Sequence, residues 1–149
     1  MKLDELRAKS GLLQALTATE VGLFESAAVE LRLPAGEVLF EEDGPADAFY
    51  IVVEGRIGLE LTTPGKDPIV IQTLGPGDVL GWSWLIPPYT WHYDARALTS
   101  VSAIVFEAVC VREKCERDPV FGYEIYKRFS RIIARRLMAS SMQLMDVYQ

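Results

Sequence analysis

Between Leu31 and Ala108 the chain is interrupted by turn-forming residues about once every ten residues. Each interruption holds a glycine, proline or aspartate that fixes a bend or tolerates a positive φ. The intervening runs are short and rich in β-branched and aromatic residues, which is typical of strands. The predicted strands cover residues 37–41, 48–53, 56–61, 68–74, 94–97 and 102–107. Many short strands at this spacing favour an antiparallel sandwich or barrel.

The segment before these strands, residues 1–30, is predicted to be helical. Thr17 can cap a helix whose third position is Glu20, a capping-box spacing. Apolar residues then follow at intervals of three and four, as expected for one buried helix face: Val21, Phe24, Ala28 and Leu31.

The segment after the strands, residues 109–149, is also predicted to be helical. Asp118 and Pro119 form a good N-terminus, because the carboxylate can cap free N–H groups and proline suits the first helical position. A helix over the following 30 or so residues would reach roughly 45 Å, beyond the edge of so small a domain. It either folds back on its own barrel or pairs with a second subunit. We favour a homodimer whose interface is built on Phe129, Ile133, Leu137 and Leu144.

Length and composition limit the class of protein. A chain of 149 residues with 50% hydrophobic and 24% charged residues predicts one folded domain, residues 1–149, rather than a disordered chain. Its apolar runs are far shorter than the roughly 20 residues of a transmembrane helix. The N-terminus is charged and lacks the apolar core of a secretory signal. A cytoplasmic protein without a membrane partner is expected.

Charge and reactive residues argue against nucleic-acid binding and catalysis. The net charge is −6, although residues 112–136 alone carry +4, which we interpret as a solvated helix face rather than a nucleic-acid surface. Cys110, Cys115 and the single His92 are too few for a disulfide framework or a metal site. The sequence also lacks a nucleophile elbow and a phosphate-binding P-loop. We therefore predict a protein that is not an enzyme and has no metal or resident cofactor.

Three phrases in the middle of the chain resemble the cyclic nucleotide-binding domain family. They are LPAGEVLF at 33–40, GPADAFYIVVEG at 44–55 and LGPGDVLG at 74–81. The resemblance covers nearly the whole chain and is closest to the sensor domain of catabolite activator-type transcription factors. It implies a mainly β fold with flanking helices: a double-stranded β-helix, that is a jelly-roll or cupin-like β-roll, between N-terminal helices and a long C-terminal helix.

The sequence departs from the family in its phosphate-binding cassette, which we call the cassette segment, residues 81–93. In the family a glutamate binds the ribose and an arginine pairs with the cyclic phosphate. Counting from Gly81 places Trp82 at the glutamate, and counting from Arg96 places Trp91 at the arginine and His92 at its Ser or Thr neighbour. Losing two hydrogen bonds to charged groups, at about 1.5–3 kcal/mol each, predicts that the usual cyclic-AMP mode is lost.

Two interpretations of these aromatic residues remain open. The rings can fill the former nucleotide cavity, or they can line a pocket for a planar or apolar effector, cyclic nucleotide or other. The second interpretation overlaps with remnant anion binding at the N–H groups around Gly81, to which His92 or Arg96 would add positive charge. We consider haem ligation by His92 less favourable than a hydrogen-bonded pocket role. The candidate ligand residues are Gly81, Trp82, Ser83, Trp91, His92 and Tyr93.

The resulting hypothesis is a regulatory sensor domain that binds a small effector, dimerises through its C-terminal helix and signals to an unknown output protein. The alternative is a structural dimer without a ligand. Transcription factors of the resembled type continue into a helix-turn-helix domain of roughly 60 to 80 residues. This sequence stops at Gln149, so we expect a sensor module without a DNA-reading one, unless the chain is a truncated regulator.

Overall fold

The computed structural model describes Gly22, Phe24 and residues 28–147, except for the side chains of residues 143, 144, 146 and 147. Gly22 and Phe24 are helical; the predicted cap at Thr17 lies outside the described residues. The strands are β1 Ala28–Leu33, β2 Val38–Phe40, β3 Ala48–Glu54, β4 Ile57–Leu61, β5 Ile69–Leu74, β6 Val79–Leu80, β7 Asp94–Ala97 and β8 Val101–Glu107. The helical elements after β6 are a 3₁₀ turn at Ser83–Leu85, helix α1 at Ala108–Arg117 and helix α2 at Pro119–Val147.

The strands form two antiparallel four-stranded sheets. One sheet has the order β1-β8-β3-β6 and the other the order β2-β7-β4-β5. Apolar side chains of both sheets, of the 3₁₀ turn and of both helices belong to one core cluster. The predicted mainly β jelly-roll fold with a long C-terminal helix is confirmed.

Strand prediction was accurate for the six strands named from the sequence, and it missed β1 and β6. Residues 28–30 were assigned to the N-terminal helix, but they belong to β1, which pairs with β8 from Ala28 opposite Phe106 to Leu33 opposite Val101. The helical spacing of Ala28 and Leu31 did not decide their structure, because the partner strand lies about 70 residues away along the chain. β6 has only two residues, too few for a period-two pattern.

Helix α2 begins where the sequence predicts. The Oδ1 atom of Asp118 accepts a hydrogen bond of 3.2 Å from the backbone N–H of Phe121, the third residue of the helix. That hydrogen bond is the largest influence lowering the pKa of the Asp118 carboxyl. Asp118 therefore caps α2 as a carboxylate, and Pro119 occupies the first helical position.

The first half of α2 packs into the core, and this corrects part of the predicted dimer interface. Phe129 is 1% exposed, and its ring makes edge contacts with Phe49 at 5.6 Å and Trp84 at 5.1 Å. It is therefore a residue of the chain's own core rather than of an exposed interface, because the β-roll offers it an aromatic pocket. Ile133 is half-buried and Leu137 is exposed, while the side chain of Leu144 is not among those described.

The second half of α2 presents apolar side chains to solvent. Four of them, each between 62% and 65% exposed, form what we call the apolar stripe: Leu137, Met138, Met142 and Met145. None of the described helices combines the length and the apolar character needed to span a membrane.

Both cysteines lie on α1 as free thiols. Cys110 is exposed, whereas burial is the main cause that raises the pKa of Cys115 to about 11. The nearby carboxylate of Glu107 is the main cause of the raised pKa of Cys110. Both thiols are therefore protonated at neutral pH and are poor nucleophiles and metal ligands.

Candidate functional site

The cassette segment starts at Gly81, which directly follows β6 and has a positive φ of +102°. A Cβ atom at this position would lie 2.9 Å from Cη2 of Trp91. Glycine is therefore required both by the backbone conformation and by the close approach of the indole ring.

Trp91 points into the β-roll and is 3% exposed. Its ring stacks on Phe40 with a centroid separation of 3.7 Å and an interplanar angle of 7°. Its backbone is held by the loop after β2, because its N–H donates to Gly44 O at 3.0 Å and its carbonyl accepts from Asp43 N at 2.9 Å. An indole thus occupies the position that the family resemblance assigns to a phosphate-binding guanidinium.

Trp82 and His92 form the outer rim of the site. Their rings stack at 4.9 Å with an interplanar angle of 21°. His92 is exposed, and its Nδ1 lies 3.1 Å from Oγ of Ser83, which is fully buried. The Trp82 ring can stack but has no carboxylate with which to accept a ribose hydroxyl.

The structure thus brings the six candidate ligand residues into one region, in two layers. Gly81, Trp91 and Tyr93 are buried on the inner side, where Tyr93 lies 6.0 Å from Phe40 between ring centroids. Arg96, weighed as a source of positive charge, instead binds Glu60 at 3.0 Å and the carbonyl of Gly36 at 2.8 Å. Its guanidinium is therefore already paired within the sheet.

Two residues missed by the sequence analysis tie the cassette segment to the helices. Arg112 of α1 donates to the carbonyl of Trp84 at 2.6 Å, and its guanidinium lies 4.1 Å from the centroid of Tyr89. Tyr126 of α2 donates through its hydroxyl to the carbonyl of Leu85 at 3.2 Å. Movement of the 3₁₀ turn would therefore be transmitted directly to both helices.

A third missed residue, Arg136 of α2, reaches the β-roll. Its Nη2 donates to the carbonyl oxygen of Val79 in β6. Burial lowers the pKa of Arg136. Burial also raises the pKa of Tyr93, while the positive charge of Arg136 lowers that pKa. No sequence signal distinguished this arginine from the other basic residues of α2.

In the described ranges, no three His, Cys, Asp or Glu side chains gather closely enough to hold a metal ion.

Replacing Gly81 with alanine tests how tightly the indole fills the site. We expect Gly81→Ala to lower the free energy of unfolding by about 1–3 kcal/mol more than Gly36→Ala, because the new methyl group would collide with Trp91. Gly36 is the matched control: its φ is +91°, yet nothing lies within 4 Å of the place a Cβ atom would take. Urea unfolding followed by tryptophan fluorescence measures both variants. Equal losses would show that Trp91 is not packed on Gly81.

The two sheets, the cassette segment after β6 and the long α2 define the chain as a β-roll domain with a long C-terminal helix. The family model for the cyclic nucleotide-binding domain matches residues 30–118. The chain belongs to the cyclic nucleotide-binding domain family, as its three sequence phrases predicted.

Similar proteins agree with this assignment. A CRP-like cAMP-activated global transcriptional regulator of Mycobacterium tuberculosis is 24% identical over 145 residues, which are 97% of this chain and 63% of the regulator. The chain thus spans less than two thirds of that relative. A structure from Geobacter metallireducens GS-15, described as a cyclic nucleotide-binding protein, aligns with a TM-score of 0.82 and 24% identity over 92% of this chain and 98% of its own. Thermus thermophilus catabolite activator protein aligns with a TM-score of 0.71 and 23% identity, covering 93% of this chain and 63% of the activator.

Proposed function

We propose that this chain is a regulatory sensor domain that binds a small effector where the β-roll meets α2, but does not bind cyclic AMP in the family's usual mode. We further propose that it dimerises through α2 and passes the binding signal to an output protein in the cytoplasm. Its role is binding, not catalysis, and it makes no direct contact with nucleic acid.

The burial of Trp91 carries the first part of this proposal. The ring is 3% exposed and stacks face to face on Phe40. It can offer a ligand one neutral N–H, whereas an arginine offers a charged fork of five donors. A cyclic phosphate at this position would meet an apolar ring and lose its counter-charge.

The apolar stripe supports the dimer. Its side chains are exposed on the second half of α2, beyond the part of the helix that packs Phe129 into the core. If a second copy packs its own apolar stripe against this one, both stripes are removed from water in an isologous interface. Ile133 is half-buried beside the stripe and would flank that interface.

Titration with cyclic AMP and cyclic GMP tests the ligand claim. We expect neither nucleotide to change tryptophan fluorescence or the melting temperature at micromolar concentration, and 5′-AMP serves as the non-cyclic control. A ligand at 100 times its Kd would stabilise the fold by about 2.7 kcal/mol, a readily measured shift. A micromolar response specific to the cyclic nucleotides would overturn the proposal.

A ligand-free dimerisation scaffold is the second candidate, and the ring packing favours it. Trp84, Trp91 and Tyr93 are all buried, and Trp84 also stacks on Phe49 at 4.9 Å. Rings packed this closely leave the interior occupied by the protein itself. Native mass spectrometry of the freshly purified protein separates the two candidates, because a bound small molecule would contradict the scaffold.

A further inference from the structure

Arg136 is a basic side chain of α2 that reaches the β-roll. It is half-buried, and its Nη2 donates to the carbonyl oxygen of Val79. On the same turn of helix, the carbonyl of Arg136 accepts a hydrogen bond of 3.4 Å from Nε2 of Gln72 in β5. This turn of α2 is therefore held against both sheets.

The charge of Arg136 is not matched by a carboxylate. Within the part of the chain that the structure describes, no Asp or Glu oxygen forms an ion pair with it. Asp78, the acidic group whose charge acts on Arg136, instead accepts a hydrogen bond of 2.9 Å from Gly75 N in its own turn. One carbonyl leaves most of the five guanidinium N–H groups available. A partly buried guanidinium with unpaired donors and no carboxylate partner is a suitable partner for an anion.

Tyr93 carries a second polar group, and it lies close enough to Arg136 for each group to influence the pKa of the other. The side chain is 6% exposed, and its hydroxyl has no hydrogen-bond partner among the described residues. Because burial raises its pKa, the phenol is protonated at neutral pH and can donate a hydrogen bond. Its ring lies beside Phe40, the residue on which Trp91 stacks. The hydrogen-bond donor of Tyr93 thus lies beside the flat apolar faces of Phe40 and Trp91.

We propose that Arg136 and Tyr93 bind the acidic group of the effector, and that this effector is a small organic anion with a flat apolar body. A carboxylate or phosphate monoester would take the free guanidinium donors and the phenol hydroxyl, while the apolar body would lie against the aromatic residues. The charge that holds the anion would come from α2, and Tyr93, the last residue of the cassette segment, would add a hydrogen bond. This inference rests on the proposed effector-binding function.

The position of Arg136 also connects the ligand to the proposed dimer interface. Leu137, the next residue, is 65% exposed and belongs to the apolar stripe. An anion that draws Arg136 toward Tyr93 would shift the turn of α2 that carries the stripe. Binding would then favour one placement of α2 over another, which is what a regulatory ligand must do.

The experiment uses phenyl phosphate and benzoate as probes, with neutral benzyl alcohol as the uncharged control. Each is titrated against the full chain while tryptophan fluorescence and melting temperature are recorded. We expect one or both anions to bind wild type, and Arg136→Met and Tyr93→Phe each to weaken that binding about tenfold or more, as loss of a charge-assisted hydrogen bond implies. Arg135→Met, at the exposed neighbouring position, should bind like wild type.

The ligand-free variants provide a separate measurement. Tyr93→Phe removes a hydroxyl without a partner among the described residues, so it should not lower the melting temperature. Arg136→Met also removes the hydrogen bond to the carbonyl of Val79, so a modest fall is expected for that variant. A clear fall in melting temperature for Tyr93→Phe would indicate a purely structural role and overturn the inference. Anion binding unchanged in both variants, or no anion binding by wild type, would overturn it as well. If benzyl alcohol binds wild type as well as the anions do, effector binding stands and only the acidic-ligand claim fails.

Discussion

Phe129→Ala is expected to lower the free energy of unfolding by about 3–5 kcal/mol, the range for a fully buried aromatic ring. The ring is 1% exposed and contacts both Phe49 of β3 and Trp84 of the 3₁₀ turn. Its loss leaves a cavity between the β-roll and α2 that these rigid rings cannot close. Urea unfolding monitored by circular dichroism measures the change, and the melting temperature should fall with it.

Tyr123→Ala is the matched control on the same helix. Tyr123 is 63% exposed, and its described aromatic contact is to Lys127, whose Nζ lies 5.5 Å from the ring centroid. Removing an exposed aromatic residue of this kind should cost about 1 kcal/mol or less. If Phe129→Ala costs no more than Tyr123→Ala, then α2 is not anchored on the β-roll through Phe129.

Leu137→Asp is expected to convert the proposed dimer into a monomer without unfolding the domain. Leu137 is 65% exposed in the single chain, so a carboxylate there is tolerated by the fold. In an isologous interface two such carboxylates would be buried without partners, which should weaken dimerisation by about 30-fold or more. Light scattering coupled to size exclusion, over a range of concentrations, measures the change in mass.

Ala139→Asp adds the same charge at another exposed position of α2. It lies about 200° further round the helix from Leu137, on the opposite side of the helix from that residue. We expect it to remain dimeric. An unchanged mass for Leu137→Asp, or a monomeric wild type, would remove α2 as the dimer interface.

The accuracy of the sequence predictions follows the range of the interactions involved. The strand pattern between the turns and the cap at Asp118 depend on residues within a few positions of each other, and both are confirmed. β1 depends on pairing with β8, and Phe129 on a pocket formed by β3 and the 3₁₀ turn. Helical periodicity placed Phe129 on an apolar face of α2, but it could not tell whether the chain's own core or a second copy covers that face.

The sequence by itself determined that this is a β-roll domain with a long terminal helix, and it predicted tryptophan at the cassette positions where the family has a glutamate and an arginine. Those features follow from residue type and local spacing. Only the tertiary structure decided that Trp91 stacks on Phe40, that Arg96 is paired with Glu60, and that Arg136 reaches Val79. The physical reason is that burial and charge pairing depend on which distant segments fold against each other. The docking of α2 on the β-roll thus distinguishes Arg136 from the other basic residues of its helix.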